Sequence, residues 1–486
     1  MTLARWCFLI GAALGLVVIS RGDEEPPRSR PASGTASVVS DYVGAGSCSA
    51  TACHGGIAPT PPALSRVLRN EHTTWMSNDP HSRAYQILFD ARSDHIVRAL
   101  AKDPDRASPA HEDVRCLACH ATPRPEPVRR TTAWLDSDGV GCESCHGPAR
   151  RWLGPHTTAD WSRLSAHDKA DRGMRDANDL VARARLCVGC HVGAPASDEA
   201  PHRDVNHDLI AAGHPRLNFE LSAYLDNMPT HWVEKEVNAS TGDPGQPTRA
   251  HDFAARAWAI GRLATLEAAL ELLQTRSAAA RQTAKSTRNA EPWPEFTEYD
   301  CYSCHHDLTG RSRSGLESQS VVGSPAWGAW NLAATEDLIR LAAPAPAAGR
   351  FESTRAHLAA EMARPFPDPA SIERLAHEAA VILSPSLDSL KSKRFDGAAV
   401  AGLIDRIDRQ DAWKRLANWD ESAQRFLALT PLLQSWTLLD PGRKTDQARL
   451  AARLERLQST LRFPPGFDSP KGFRPGLIQS GVSPAP

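Results

Sequence analysis

Val140 to His156 reads VGCESCHGPARRWLGPH. Two cysteines stand with two residues between them, a histidine follows at once, Gly147-Pro148 turns the chain, and a second histidine, His156, closes the stretch. The same unit recurs. CLACH begins at Cys116, CVGCH at Cys187 and CYSCH at Cys301, while CSATACH, from Cys48, spreads its two cysteines further apart. The pairs are therefore Cys48/Cys53, Cys116/Cys119, Cys142/Cys145, Cys187/Cys190 and Cys301/Cys304, closed by His54, His120, His146, His191 and His305. Of the 11 cysteines, Cys7 alone lies outside them.

With 19 histidines in 486 residues, a histidine after all five pairs has chance odds on the order of 10⁻⁷, so the repeat has a chemical cause. C-x-x-C-H is the haem c attachment unit: two thiols about one turn apart reach the two vinyl groups on one porphyrin edge, and the next imidazole meets the iron. Disulfides or paired zinc sites would use the same cysteines in an exported chain. Neither needs a histidine at the same offset five times. In the first unit, Ser49 to Ala52 are small enough to bulge outward while the thiols keep their places. The expectation is five covalent haems c, with the five adjacent histidines as proximal ligands.

The far side of each iron needs a second ligand. Met76, Met174, Met228 and Met362 are too few for five irons, and His/His ligation implies lower potentials than His/Met. The distal candidates are His81, His156, His207, His214 and His231. His81 follows Asp79-Pro80, an N-cap and first-position pair that would mount it at a helix start. His156 follows the Gly147-Pro148 turn and is placed to reach a neighbouring iron. His207 and His214, if on one helix, stand about 10 Å apart along its axis. Two nitrogens across one metal lie only about 4 Å apart, so these two serve different irons, and Pro215 ends the helix. His231 beside Trp232 reads equally as a turn histidine. His306 points away from its neighbour His305, either to another haem or to a propionate. His72, His111, His202 and His251 are in reserve, and His357 and His377 lie beyond the motifs.

The rest of the composition bounds the class. A formal charge of −1 with 23% charged residues gives no basis for nucleic-acid binding. Five haems, each adding two propionates and a ferric core of net +1, take the oxidised protein to about −6, which suits a basic partner patch. Arg5 and the apolar run Trp6–Ile19 match an export signal, with an uncleaved N-terminal membrane anchor as the alternative to cleavage. An extracytoplasmic, periplasmic location follows.

The residues GCESCHGPA, NDPHSRAY and AGHP, among scattered C-x-x-C-H motifs, resemble the multihaem cytochromes of the cytochrome c-554 type, the tetrahaem electron carriers of ammonia oxidisers, and their larger relatives. The resemblance spans roughly residues 42–308. It implies closely packed haems, mostly His/His ligated, passing electrons in series, with one iron left open in some members. Two departures stand out. This chain has five motifs where the tetrahaem proteins have four, and nothing after residue 310 has a counterpart there.

Ala259, Leu263, Leu266, Leu270 and Leu273 repeat at spacings of four and three, which predicts an amphipathic helix before the last motif. Four stretches after Ser324 also read as helices; in the last of them Leu450, Leu454, Leu457 and Leu461 keep the same spacing. The fold class expected is mainly α: an export signal or anchor at 1–21, a disordered linker at 22–40, a pentahaem domain with little regular sheet at 41–310, a helical bundle at 320–470, and a disordered tail at 471–486. The function expected is electron transfer with redox protein partners or a membrane quinol-oxidising complex. The alternative is a reductase or oxidase acting on a small nitrogen or sulfur compound at one open iron. Against it, no motif replaces its histidine with lysine.

Overall fold

Cysteine and histidine are indifferent helix formers, yet three of the five motifs form helix ends, because an acidic cap or a tight glycine turn does the local work. The computed structural model describes residues 42–61, 67–122, 134–198, 200–234, 249–283, 293–301, 304–305, 325–409, 413, 418–463 and 478. The export segment, the linker, the boundary at 310–320 and the 471–486 tail apart from Ile478 lie outside them, as does His306.

The chain is mainly α. Among the described residues the β pairing consists of two isolated bridges, Ala194 with Arg203 and Tyr299 with Trp327. The first half is built of short helices: α1 (Glu71–Asn78), α2 (Ala91–Leu100), α3 (Val114–His120), α4 (Cys142–His146), α5 (Ala166–Ala170), α6 (Leu180–His191), α7 (His207–Ala211) and α8 (Leu221–Asn227). The second half begins with the long α9 (Phe253–Thr283) and continues through α10 (Ala329–Leu332), α11 (Glu336–Ala342), α12 (Ala345–Met362), α13 (Pro369–Ser389), α14 (Gly397–Ile407), α15 (Trp419–Leu439) and α16 (Lys444–Leu461).

The second, fourth and third motifs end α3, α6 and α4, each with its histidine as the last helical residue. Asp113 starts α3 and Asp179 starts α6 by accepting a backbone N–H of the first turn. Gly147 ends α4 at φ +79, and a Cβ there would stand 2.1 Å from the Gly173 carbonyl oxygen. Only glycine fits the turn that follows His146.

Around the first three motifs the polypeptide packs its apolar side chains into small clusters, Val43, Ala149, Trp152 and Trp161, and Leu88, Val97 and Ala110, with others such as Trp75, Ile96 and Trp134 buried apart from them. A single large core begins at α6 and α8, runs through α9 and continues to α16. At about 1.5–3 kcal/mol for each large side chain buried, this second region is held by its own residues. Leu450, Leu454, Leu457 and Leu461 all face inward, as their spacing predicts.

The helix expected to be amphipathic is instead buried almost all round: Ala255, Trp258, Ala259, Ile260, Leu263 and Ala264 are all fully covered. The reason is its position. α13 packs along it, and α6, α8 and α15 cover its other sides, so its alanines are close-approach positions and not a solvent face. Gly261 is one of these, since a Cβ there would lie 2.4 Å from the Leu221 Cβ.

Candidate haem-binding site

Two expected ligand mounts differ from the sequence reading in detail. Asp79 caps as expected, accepting the His81 N–H, but the element it starts is a 3-10 turn, Pro80–Arg83. His207 opens α7, whereas His214 lies beyond that helix, after Gly213 at φ +114. The two histidines are therefore not on one helix, because the glycine turns the chain between them before Pro215 is reached.

Four pairs of imidazoles face one another. His54 and His156 have ring centroids 6.2 Å apart at 13°, His81 and His191 6.0 Å at 74°, His120 and His214 6.4 Å at 86°, and His207 and His305 6.4 Å at 30°. Each pair joins one motif histidine to one histidine from elsewhere in the chain. The separation is too wide for ring stacking contact. It is the width of two metal–nitrogen bonds of about 2 Å plus about 1.1 Å from each nitrogen to its ring centre, about 6.2 Å in all.

The ring nitrogens agree with that role. Nδ1 of His54 lies 2.9 Å from Glu71 Oε2, and Nδ1 of His81 lies 2.9 Å from Asp79 Oδ1. Nδ1 of His120, His156 and His214 lies 2.9, 2.5 and 2.8 Å from the carbonyl oxygens of Ala84, Leu153 and Pro215. An acceptor at Nδ1 places the proton there and leaves the Nε2 lone pair for a metal. His191 is pushed down to about 4 by burial, which keeps it neutral, as a ligand must be. His54 is raised by its hydrogen bond to Glu71, and His81 by its bond to Asp79.

The third motif is different. Burial pushes His146 down to about 4, with the charge of His231 acting in the same direction, but no ring stands at the 6 Å spacing from it among the described residues. His231 packs edge-on against Trp232 at 5.0 Å. Three of the reserve histidines are engaged elsewhere: His72 beside Trp75, His111 stacked 4.2 Å from Phe89, and His202 3.7 Å from Asp204.

Among the described residues no motif cysteine is joined to another by a disulfide, and several meet across motifs. Cys48 contacts Cys142, and Cys119 contacts Cys190. The first and third motifs are thus neighbours, as are the second and fourth. In the expanded first motif, Ser49 to Ala52 are exposed, with the extra residues turned outward.

The thiols of the fifth motif are exposed to different degrees: Cys301 is half-buried, whereas Cys304, read from the sequence as the second attachment point, is exposed and has no thiol of another motif against it among the described residues. The physical reason is local. Cys304 and His305 both donate their backbone N–H to the Cys301 carbonyl, at 3.2 and 2.8 Å, so they sit on a tight turn. Among the described residues no acid-capped helix like those of the second and fourth motifs carries Cys304. Cys53 and Cys145 are exposed as well, but the partner thiol of each, Cys48 or Cys142, contacts a neighbouring motif.

Residues 48–147 match the family model described as cytochrome c554 and c-prime. That segment is similar to the cytochrome c554 family. The similarity is to a c-type cytochrome, for which covalent haem c and electron transfer are the family chemistry, and the residues present fit that group: thiol pairs directly beside imidazoles, with facing rings at the width of one metal. The matched c554 segment contains the first three motifs and His81; the fourth motif and the fifth, with Cys301 and Cys304, lie beyond it. No curated protein and no solved structure matches the chain.

Three carboxylates support this site. Asp79 was legible as a cap, but its second bond, to the His81 ring, was not. Glu71 is the first residue of α1, and its other oxygen accepts the Leu68 N–H at 2.8 Å. Glu143, inside the third C-x-x-C-H, is buried and accepts the backbone N–H groups of Val43, Gly44 and Ala149 at 2.7–3.0 Å. The signal available was an acidic residue enclosed between two attachment cysteines, a position where burial demands partners.

Proposed function

We propose that the chain is an exported electron carrier that binds five haems c through its five motifs, most of them between two histidines. The observation that carries this reading is the set of four imidazole pairs at one-metal width, each containing one motif histidine. Bound haem supplies a one-electron ferric/ferrous couple. The chain supplies the rest: thiols to fix the group, two imidazoles to hold its iron low-spin, and Nδ1 acceptors to aim those imidazoles. At the fifth motif the support is the His207–His305 pair, with Cys301 and the exposed Cys304 as the thiols that would fix the porphyrin edge.

The sites form a continuous series of neighbours. Cys48–Cys142 links the first motif to the third, and Cys119–Cys190 links the second to the fourth. Cys145 lies within electrostatic range of Cys187 and Cys190, joining the third motif to the fourth. His214 of the second motif's pair and His207 of the fifth motif's pair flank α7 and its turn, joining those two. The order first, third, fourth, second, fifth suits passage of electrons between redox protein partners, or from a membrane quinol-oxidising complex. Trp6–Ile19 suits export, with or without cleavage. No described helix is long and apolar enough to cross a membrane.

A pyridine haemochrome assay together with the mass of the mature chain tests the count. Five haems per chain is the expected result, and fewer, or thiols free or joined to one another, overturns it. His146 favours a second reading, a reductase or oxidase of a small nitrogen or sulfur compound with an open iron at that motif. A high-spin signal that shifts on addition of hydroxylamine or nitrite would select it, whereas a fully low-spin spectrum selects the carrier.

A further inference from the structure

The Nδ1 partners of the facing histidines are of two kinds, and the difference is chemical. His120, His156 and His214 face backbone carbonyls, which are neutral. His54 and His81 face carboxylates, and both carboxylates are held so that they cannot turn away: Glu71 Oε1 accepts the Leu68 N–H at 2.8 Å, while Asp79 Oδ1 also accepts the His81 backbone N–H at 3.0 Å. Their side chains are 17% and 2% exposed, so water does little to screen them.

An imidazole whose Nδ1–H is donated to a full negative charge gains imidazolate character and becomes a stronger donor at Nε2. A stronger axial donor stabilises ferric over ferrous iron, and hydrogen bonding beyond the ligands is one of the means by which a protein sets a haem potential. The two carboxylates act on two different pairs, His54–His156 and His81–His191. The His120–His214 pair has carbonyl acceptors on both sides and no such charge.

We propose that Glu71 and Asp79 are tuning residues that lower the potentials of the His54–His156 and His81–His191 haems below that of the His120–His214 haem. Resting on the haem-binding reading above, this splits otherwise similar sites into a low-potential and a high-potential class. Neither residue touches the iron; each acts through one imidazole.

The test is a potentiometric titration of the haem-loaded full chain, followed by electron paramagnetic resonance, for the unaltered protein, Glu71→Gln and Asp79→Asn. The amides keep an acceptor in place and remove the charge. The rings of His54 and His156 are nearly parallel and give a rhombic low-spin signal; those of His81 and His191 are nearly perpendicular and give a signal with one very large g value. His207 and His305, at 30°, give a second rhombic signal, so Glu71→Gln should raise the midpoint of one rhombic component alone, and Asp79→Asn that of one large-g component alone. Each shift should be about tenfold in the ferric-to-ferrous ratio at fixed potential, about 59 mV for one electron. Unshifted midpoints with the full haem content overturn the proposal. If a variant loses its haem, the unaltered protein decides: one large-g component, from His120–His214, must be reduced before the other large-g component and before at least one rhombic component, and two large-g components reduced together or after both rhombic ones overturn it. A failure of the haem-binding reading is separate, since the unaltered protein would then lack low-spin signals altogether.

Discussion

Between Tyr42 and Leu164 the buried apolar side chains form clusters of only four and three residues, with the rest scattered, whereas from α9 to α16 they form one unbroken core. Both regions are helical and both have capped helices, so local propensity does not separate them. The difference lies in what fills the interior. Around the motifs the rings of paired histidines face one another across about 6 Å, the width of a metal and its two bonds, so the first region is shaped to enclose a group other than its own side chains. The second region closes on its own leucines and tryptophans.

Withholding haem should therefore expose the contrast most strongly. With all ten motif cysteines changed to serine, amide exchange in α1 to α4 should rise at least about a thousandfold while α13 and α15 stay protected. Equal loss in both regions would break the comparison.

The joint between the regions comes next. Arg216, two residues after His214, makes a two-pronged ion pair with Asp420 of α15 at 2.7 and 2.8 Å, and Asp420 is almost wholly buried. Removing one partner of a buried pair leaves the other charge uncompensated, so Asp420→Asn should cost about 3–5 kcal/mol in denaturant unfolding. A neutral result would mean that the regions are held together by other contacts.

Gly261→Ala sharpens the account of the second region. Inside a helix the change normally gains about 1 kcal/mol, but here the new methyl group meets Leu221 Cβ at 2.4 Å. Overpacking should reverse the sign and cost about 1–3 kcal/mol, read as a lower thermal midpoint with an unchanged haem spectrum.

The smallest effect is electrostatic. Burial alone would raise the Asp204 carboxyl, yet hydrogen bonding to His202 and Arg276 brings it down to about 2, with Arg276 Nε 2.9 Å away. A carboxyl depressed in the folded state stabilises above its unfolded value and loses that contribution as the pH falls through the folded one. About 2 kcal/mol should disappear between roughly pH 4 and pH 2. Asp204→Asn should remove that part of the acid slope.

The attachment residues and the helices of the second half were legible because covalent geometry and helical period each impose a fixed spacing on the chain. Spacing did not reveal how each thiol is housed, which is why Cys304 reads like Cys119 or Cys190 in the sequence yet lies on an exposed turn. Which histidine faces which was not legible either, because each pair is made by tertiary packing: His81 meets His191 and His207 meets His305 across about a hundred residues. The apolar period of α9 revealed its leucines but not its burial, since alanine and glycine mark close approach as readily as exposure. Glu143 was hidden for a related reason: its partners, Val43 and Gly44, are 100 and 99 residues away.

Those bonds of Glu143 bear on the order of biogenesis. A ribosome releases Cys48 and Cys53 long before the carboxylate that clasps the backbone just ahead of them, so the earliest thiols to emerge are the ones whose surroundings are completed late. Maturation of the first attachment point is then tied to synthesis of the third, and a nascent chain halted short of residue 143 would present its leading cysteines unorganised.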